Sequence, residues 1–358
     1  MSSNSMKKEF SSITVLVTAC GVQFMPGLAD CLKNNGERKI KLVGVDLHRD
    51  PTILQMVDVF YQVPKVDSPI YIPTILEICE KENVDILIPF MSSELPLFDK
   101  SREDFKKRGT IVSVASKNVL HIANNKLNLY DFMLAGGLPT PSYKKASNIE
   151  ELKDALKYVG YPSSAACVKA TMSSGSRGIR IIDETKSRFE IFMNEKPNSF
   201  YISYDEMIQL LTNIPFFPEL MVMEYLPGAE YSVDVLADNG KVLYMCGRIS
   251  NEINASIPQT ATLHKDCKAY SICEKLVEML RIDGNADFDF KFNALGEPVL
   301  MEINPRIAAT MRIFKEGGLN LPYLRVKQLL GEALPAVSVR YGTRMKRRYL
   351  EMFAQLDV

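Results

Sequence analysis

From residue 13 onward, short apolar runs alternate with longer amphipathic stretches. Ile13 to Thr18 (ITVLVT) is rich in β-branched residues, and Lys41 to Asp46 (KLVGVD), Asp85 to Pro89 (DILIP) and Ile111 to Val114 continue the series. Helix-periodic segments lie between them, the first running to about Asn35 and another over Ile72 to Glu82. Such alternation predicts βαβ units and a mostly parallel sheet. Beyond residue 116 the pattern changes. Asn124-Asn125-Lys126 opens a helix to Ala135 that Gly136-Gly137 ends. Strands are then expected over Ala165 to Ala170, Ile179 to Ile182, Leu220 to Leu226, Tyr231 to Ala237 and Val242 to Arg248. Asp238-Asn239-Gly240 supplies the turn that pairs the last two. Residues 184–218 read as a long connection with helices flanking Lys196 to Ser199, and no chemistry is evident there.

The most informative pattern runs from Asn285 to Arg306, NADFDFKFNALGEPVLMEINPR. Ala286 to Phe292 alternates apolar residues with Asp287, Asp289 and Lys291, the period-2 signature of a half-buried strand. Asn293, Gly296 and Pro298 carry turn chemistry, and Val299 to Ile303 is a second apolar run. A turn centred on Leu295–Gly296 sets Asp289 opposite Glu302 and Asp287 opposite Asn304, with all four side chains on one face. Directly opposed Cβ atoms lie roughly 4.5–5.5 Å apart. Two carboxylates so close repel unless a cation or proton separates them. Oxygen-rich clusters of this kind suit Mg²⁺ or Mn²⁺, and the fork of Arg306 suits a phosphate oxygen. Spacing alone allows a solvated acidic face equally well.

Composition narrows the classes without choosing among them. The chain has 358 residues, enough for two or three domains, and 43 basic residues balance 43 acidic ones. No basic field points to nucleic acid or an anionic membrane. Arg344 to Arg348 (RMKRR) is the one basic cluster, read as a solvated helix face. Seven cysteines without a CxxC pair argue against a disulfide framework or a zinc site. Cys20, Cys31, Cys167 and Cys246 sit among apolar residues, as reduced core thiols do. No long apolar run or signal peptide is visible, so a reduced, cytoplasmic protein is expected.

Several further segments fall in a meaningful order. Lys126 starts the helix that leads to Leu138-Pro139-Thr140-Pro141, and Lys169 ends a buried strand before Ser173-Ser174-Gly175-Ser176-Arg177-Gly178. A lysine beside a loop of small residues suits phosphate, because backbone N–H groups can approach its oxygens. The loop is not a Walker A motif, since no G-K-S/T opens a helix. Glu224-Tyr225-Leu226 leads into Pro227-Gly228, with Glu230 two residues on.

Together with Met301 to Arg306 (MEINPR), these segments resemble the ATP-grasp superfamily over residues 13 to about 335, closest in style to one half of a carbamoyl phosphate synthetase large subunit. The resemblance implies an α/β chain: a loose tail over 1–12, a Rossmann-like domain over 13–116, a two-lobed ATP-grasp fold over 117–335 and a short extension over 336–358. It implies ATP as nucleotide, with Lys126, Lys169 and the loop Ser174, Gly175, Ser176, Arg177 and Gly178 at its phosphates. Glu224, Tyr225 and Leu226 would meet the adenine and Glu230 the ribose. Asp289, Glu302 and Asn304 would hold two Mg²⁺ (or Mn²⁺) ions, and Arg306 would meet the transferred phosphate, making Arg306 and Lys169 the catalytic pair. His264, in the stretch TATLH, falls where the family approaches the phosphates, although a lone histidine is more often structural.

The implied activity is a stand-alone ligase that activates a small-molecule carboxylate as an acyl phosphate for attack by an amine or other nucleophile, with a homodimer left open. The competing classes are a nucleotide-binding protein without turnover, a partial carbamoyl-phosphate-synthase-like enzyme, and an NAD-dependent enzyme. ACGVQFMPG lacks the G-x-G-x-x-G fingerprint, which disfavours NAD despite Asp46 at a ribose-acid position. His48-Arg49-Asp50 with Asp287-Phe288-Asp289 imitates a kinase pair, but Gln55 stands where the kinase loop needs Asn. Ser93-Glu94, after the DILIP run, is either a substrate contact or a solvated loop. Ile307-Ala308-Ala309-Thr310 departs from the glycine pair common in carboxylate–amine ligases, so the acceptor cannot be carried over.

Overall fold

The computed structural model describes residues 10–173, 175, 177–195, 199–254 and 257–355. Ser174, Ser176 and most of the expected N-terminal tail therefore lie outside the described residues. Three sheets organise the rest. The first is parallel, in the order β3-β2-β1-β4-β5: β1 is Ile13–Val17, β2 Ile40–Asp46, β3 Val59–Gln62, β4 Ile86–Ile88 and β5 Ile111–Val112. Val15 lies beside Leu42 on one side and Ile86 on the other. A β-branched run fits this central position because both its faces are covered, and Val15, Leu16 and Val17 are fully buried. The strand β3 escaped the sequence reading; its four half-exposed residues show no alternation.

The second sheet runs β6-β10-β7-β8-β9, with β6 at Tyr143–Ala146, β7 at Ala166–Ala170, β8 at Ile179–Ile182, β9 at Tyr201–Ile202 and β10 at Leu220–Glu224. The third is antiparallel, in the order β15-β14-β11-β12-β13-β16. Its strands are β11 Glu230–Asp238, β12 Lys241–Asn254, β13 Ile257–Leu263, β14 Gly284–Phe292, β15 Pro298–Asn304 and β16 Arg344–Lys346. Alternation gives this large sheet two unlike faces. Val233, Val235, Ala286, Phe288 and Ile303 face a core shared with the helix Cys267–Leu280. Ser232, Asp234, Asp287, Asp289 and Glu302 occupy the intervening positions. The same apolar cluster reaches Leu127 and Tyr130 of the helix Lys126–Ala135 and Leu16 and Leu87 of the first sheet, joining the layers.

Three readings are corrected here. The hairpin is not an unbroken ladder: its register slips between Asp289 and Phe290, so Phe290 faces Leu300 and Met301 is left over. Leu300 and Ile303 are both buried yet three residues apart, which strict alternation cannot bring to one face. Glu94 is neither solvated nor open to substrate. It is 3% exposed and accepts hydrogen bonds from Thr18 Oγ1 (2.5 Å), Tyr71 OH (2.5 Å) and the N–H groups of Phe90 (3.0 Å) and Met91 (2.8 Å). Arg344 to Arg348 is not a helix. Its first three residues form β16 on the edge of β13, and Arg347 donates to the carbonyls of Pro258 and Ala309.

Candidate active site

Each element brings its residue to the site for a local reason. Asn125 caps the helix Lys126–Ala135, its side chain accepting from the N–H groups of Leu127 and Asn128. That cap places Lys126 on the first turn, 5% exposed, with its N–H on the carbonyl of Thr171 (3.1 Å) and Nζ on that of Ser173 (3.1 Å). Lys126 Nζ also lies 3.4 Å from Glu302 Oε2. The helix start, the loop after β7 and the hairpin thus meet at one lysine.

Lys169, on β7 between Met221 and Ile179, is 5% exposed, and its Nζ has no hydrogen bond or ion pair among the described residues. Burial holds its ammonium below the usual lysine range, offset in part by Cys167 and Glu302 and reinforced by Lys126. In the loop that follows, Gly175 and Gly178 both have positive φ (64° and 67°), and a Cβ on Gly178 would come within 2.9 Å of that of Ala170. Only glycine allows that hairpin to close while keeping the Ala170 N–H on the Gly178 carbonyl (2.8 Å). Arg177 is exposed beside it.

The structure places Asp289 opposite Glu302 and Asp287 opposite Asn304. Asn304 Nδ2 donates to Asp289 Oδ2 at 3.0 Å and to Glu302 Oε1 at 3.5 Å, and Ser232 Oγ donates to Asp289 Oδ1 at 2.6 Å. Burial, then the charges of Asp287 and Glu302, push the Asp289 carboxyl up to about 8. Two carboxylates and an amide fit a hard divalent cation, whose charge would relieve that repulsion once the amide presented its oxygen. No group of three His, Cys, Asp or Glu side chains forms a metal cluster among the described residues. Arg306 follows at the strand end, its N–H on the Asn304 carbonyl (2.7 Å) and Nη1 on that of Ile307 (3.1 Å).

Between the second and third sheets the chain passes through Glu224 to Glu230. The N–H groups of Glu224 and Tyr225 bond to the carbonyls of Ser142 and Ala165, Glu224 Oε1 accepts from the Ser142 N–H, and Leu226 is buried. Gly228 packs on the end of β14, where a Cβ would lie 2.5 Å from the Phe292 carbonyl oxygen. Glu230 is exposed at the start of β11, opposite Lys291 and Ser250. His264 is exposed, its ring edge-on to Tyr231.

Sequence reasoning missed Ser232, Asp234 and Arg248 on the same face. Its signal was the alternation in Tyr231-Ser232-Val233-Asp234-Val235, which sets polar side chains opposite a buried row. Asp46, by contrast, holds the N–H groups of Gly21 (2.8 Å) and His48 (3.2 Å), an internal role rather than a ribose contact.

With this geometry in view, likeness to known proteins can be weighed. Residues 216–350 match the model described as ATP-grasp in the biosynthetic pathway with Ter operon, and residues 15–113 match the PylC-like N-terminal domain. The ATP-grasp resemblance read from the sequence thus holds over residues 216–350. The chain is 22% identical over 294 residues to the arginine-specific carbamoyl phosphate synthase large chain of Halalkalibacterium halodurans, covering 79% of itself and 26% of that protein. It is also 22% identical over 275 residues to the formate-dependent phosphoribosylglycinamide formyltransferase of Parabacteroides distasonis, covering 75% of itself and 63% of that protein. Thus it spans only about a quarter of the first relative's length.

Among solved structures, the biotin carboxylase domain dimer of Hydrogenobacter thermophilus 2-oxoglutarate carboxylase, with MgADP and bicarbonate, superposes with a TM-score of 0.67 at 18% identity, over 92% of this chain and 73% of that one. The L-amino acid ligase of Bacillus licheniformis superposes with a TM-score of 0.62 at 15% identity, over 90% of this chain and 75% of that one. At such identities the structural likeness shows the fold alone. No helix among the described residues is long and apolar enough to cross a membrane.

Proposed function

We propose that this chain is an ATP-dependent ligase that phosphorylates a small carboxylic acid and joins it to an amine. The observation that carries the reading is Lys169. A cation 5% exposed, whose ammonium has no partner among the described residues, beside a glycine loop and within the field of Glu302 and Lys126, is a group suited to an anion.

In this reading Lys126, Lys169 and the loop Ser174 to Gly178 hold the phosphates of ATP. The stretch Glu224 to Leu226 receives the adenine, and Glu230 the ribose. Asp289, Glu302 and Asn304 would hold Mg²⁺, which when bound would neutralise phosphate charge. A substrate carboxylate oxygen attacks the γ-phosphorus, forming one P–O bond as the bridging P–O bond to the β-phosphate breaks and ADP leaves. Arg306 neutralises charge on the transferred group. The amine nitrogen then attacks the acyl carbon, phosphate departs with the electron pair, and the amine gives up a proton. Phosphoryl transfer needs positioning and charge neutralisation more than covalent help from the protein, and this site offers both.

The test is thermal melting with and without nucleotide. ATP with Mg²⁺ at a hundred times its Kd should stabilise the fold by about 2.7 kcal/mol, whereas NAD and NADP should leave the melting temperature unchanged. A shift with NAD and none with ATP overturns the reading, and ADP release on adding small acids and amines separates a ligase from a nucleotide-binding protein without turnover.

A further inference from the structure

The polar face of the large sheet does not end at Asp289. Two residues on, Lys291 continues the alternation of β14 and stands opposite Glu230 across the unbroken ladder with β11. At roughly 3.4 Å per residue it lies roughly 7 Å along the strand from Asp289. Opposed residues of such a ladder have Cβ atoms roughly 5 Å apart. Yet among the described residues these two charges form neither an ion pair nor a hydrogen bond with each other.

The lysine reaches elsewhere. Its Nζ lies 5.2 Å from the centroid of the Tyr225 ring, within the range of a cation–π contact. Tyr225 belongs to the opposite wall of the site. Lys169 pairs with Met221 and Cys167 with Met223, and Tyr225, its N–H on the Ala165 carbonyl (3.3 Å), extends that alternation beyond β10. Its ring therefore lies on the face of the second sheet that carries Lys169. One cation thus joins the second and third sheets, two residues beyond the Asp289–Glu302 pair.

Lys291 and Glu230 complement each other. An ammonium has three donors and no acceptor, a carboxylate has only acceptors, and a hydroxyl is both donor and acceptor. A sugar hydroxyl set between them donates to Glu230 and accepts from Lys291. A phosphate could use only the lysine, and an amine only the glutamate. Glu230 is exposed and Lys291 half-buried, so a ligand can reach both.

Resting on the nucleotide reading above, we infer that Lys291 is a specificity-determining residue for the sugar: with Glu230 it holds a ribose hydroxyl, and the site therefore selects ribonucleotides over deoxyribonucleotides. Tyr225 positions the ammonium for this task by holding it over its ring.

The experiment titrates the full chain, with Mg²⁺ present, against ADP, 2′-deoxy-ADP and 3′-deoxy-ADP by calorimetry. ADP should bind about tenfold tighter than at least one deoxy analogue, the scale of one hydrogen bond to a charged group. Lys291→Met should weaken ADP by about tenfold and leave the Kd of that analogue within about twofold of the parent's. Without ligand it should melt at the parent's temperature. Lys291→Arg should keep part of the preference, and Glu230→Ala should lose it. Equal losses for ADP and both analogues in Lys291→Met, or unchanged ADP binding by that variant, overturns the inference. A parent that binds none of the three nucleotides defeats the nucleotide reading and the inference together, whereas binding without discrimination defeats the inference alone.

Discussion

Replacing Glu302 by Gln and Phe288 by Ala should separate chemistry from packing within one hairpin. Glu302 faces Asp289 across the ladder and also lies 3.4 Å from Lys126 Nζ. At an effective dielectric of about 20, a carboxylate pair roughly 5 Å apart repels by about 3 kcal/mol, and the lysine pair attracts by about 5 kcal/mol. The Glu302 side chain is 37% exposed, so solvent reduces both to on the order of 1 kcal/mol. Their opposition leaves Glu302→Gln within about 1 kcal/mol of the parent, while ADP release falls by about two orders of magnitude, the scale of losing one charge-stabilising group. Phe288, next to Asp289 but on the other face, is fully buried in the core. Phe288→Ala should cost about 3–5 kcal/mol, or roughly 6–20 °C in melting temperature for a unit of about 200 residues, with activity per folded molecule retained. Melting curves in EDTA, beside ADP-release rates normalised to folded protein, read both effects. If Glu302→Gln unfolds the protein while folded molecules keep their activity, Glu302 is structural and the metal assignment is wrong.

Lys169→Ala should abolish most of the melting shift with ATP and Mg²⁺ while the ligand-free protein melts no lower than the parent, because a buried ammonium, here without a partner among the described residues, opposes folding; normal ATP binding by this variant would place the phosphates elsewhere. Glu94→Gln should cost about 3 kcal/mol by leaving buried donors at Thr18 and Tyr71 poorly matched, with an unchanged ATP shift; loss of the ATP shift at full stability would make Glu94 a ligand contact. Burial acts to raise the Asp30 carboxyl, but hydrogen bonds from Lys315 and Asn34 outweigh it and hold the group below its ordinary value. Its stabilising contribution is therefore complete above the ordinary carboxylate range and is lost as pH falls through the lowered folded value, so melting temperature against pH should show a smaller acid-side decline in Asp30→Asn than in the parent.

Much of the architecture was legible because its strands are written in two clear hands. Continuous apolar runs such as ITVLV became buried parallel strands, and alternating runs such as ADFDF became strands with one polar face. The opposition of Asp289 and Glu302 followed from a period of two counted back from a turn. What failed to follow was whatever depends on a distant partner. The slip between Asp289 and Phe290 is dictated by the core that claims both Leu300 and Ile303. Glu94 looked like a surface residue because Thr18 and Tyr71, which surround its carboxylate, are far away in the chain. The basic run at 344–348 carried no trace of the β13 edge that turns it into a strand.

The same distinction governs the candidate site. Lys126, Lys169, Asp289, Glu302 and Arg306 could be singled out from sequence as a set only through their resemblance to a family pattern, and the fold brings Lys126 to Glu302 and Glu302 opposite Asp289. Arg248 belongs to no such pattern. It is one cation in a strand that is otherwise ordinary, and its surroundings arise only when the antiparallel order sets it beside Ser232, Asp234 and Asp287. A core polar group that served folding alone would be fully hydrogen-bonded, as Glu94 is. Arg248, equally buried, leaves Nε and Nη1 unpartnered among the described residues, as Asp234 Oδ2 is 3.9 Å from Nε. Both groups are enclosed by the same chain, so burial does not explain the contrast. The difference is that Glu94 meets its donors at close range, whereas Arg248 stands at long range from carboxylates that crowd one another on the polar face, and an arrangement of charges created only by strand order is the kind a sequence pattern conveys least.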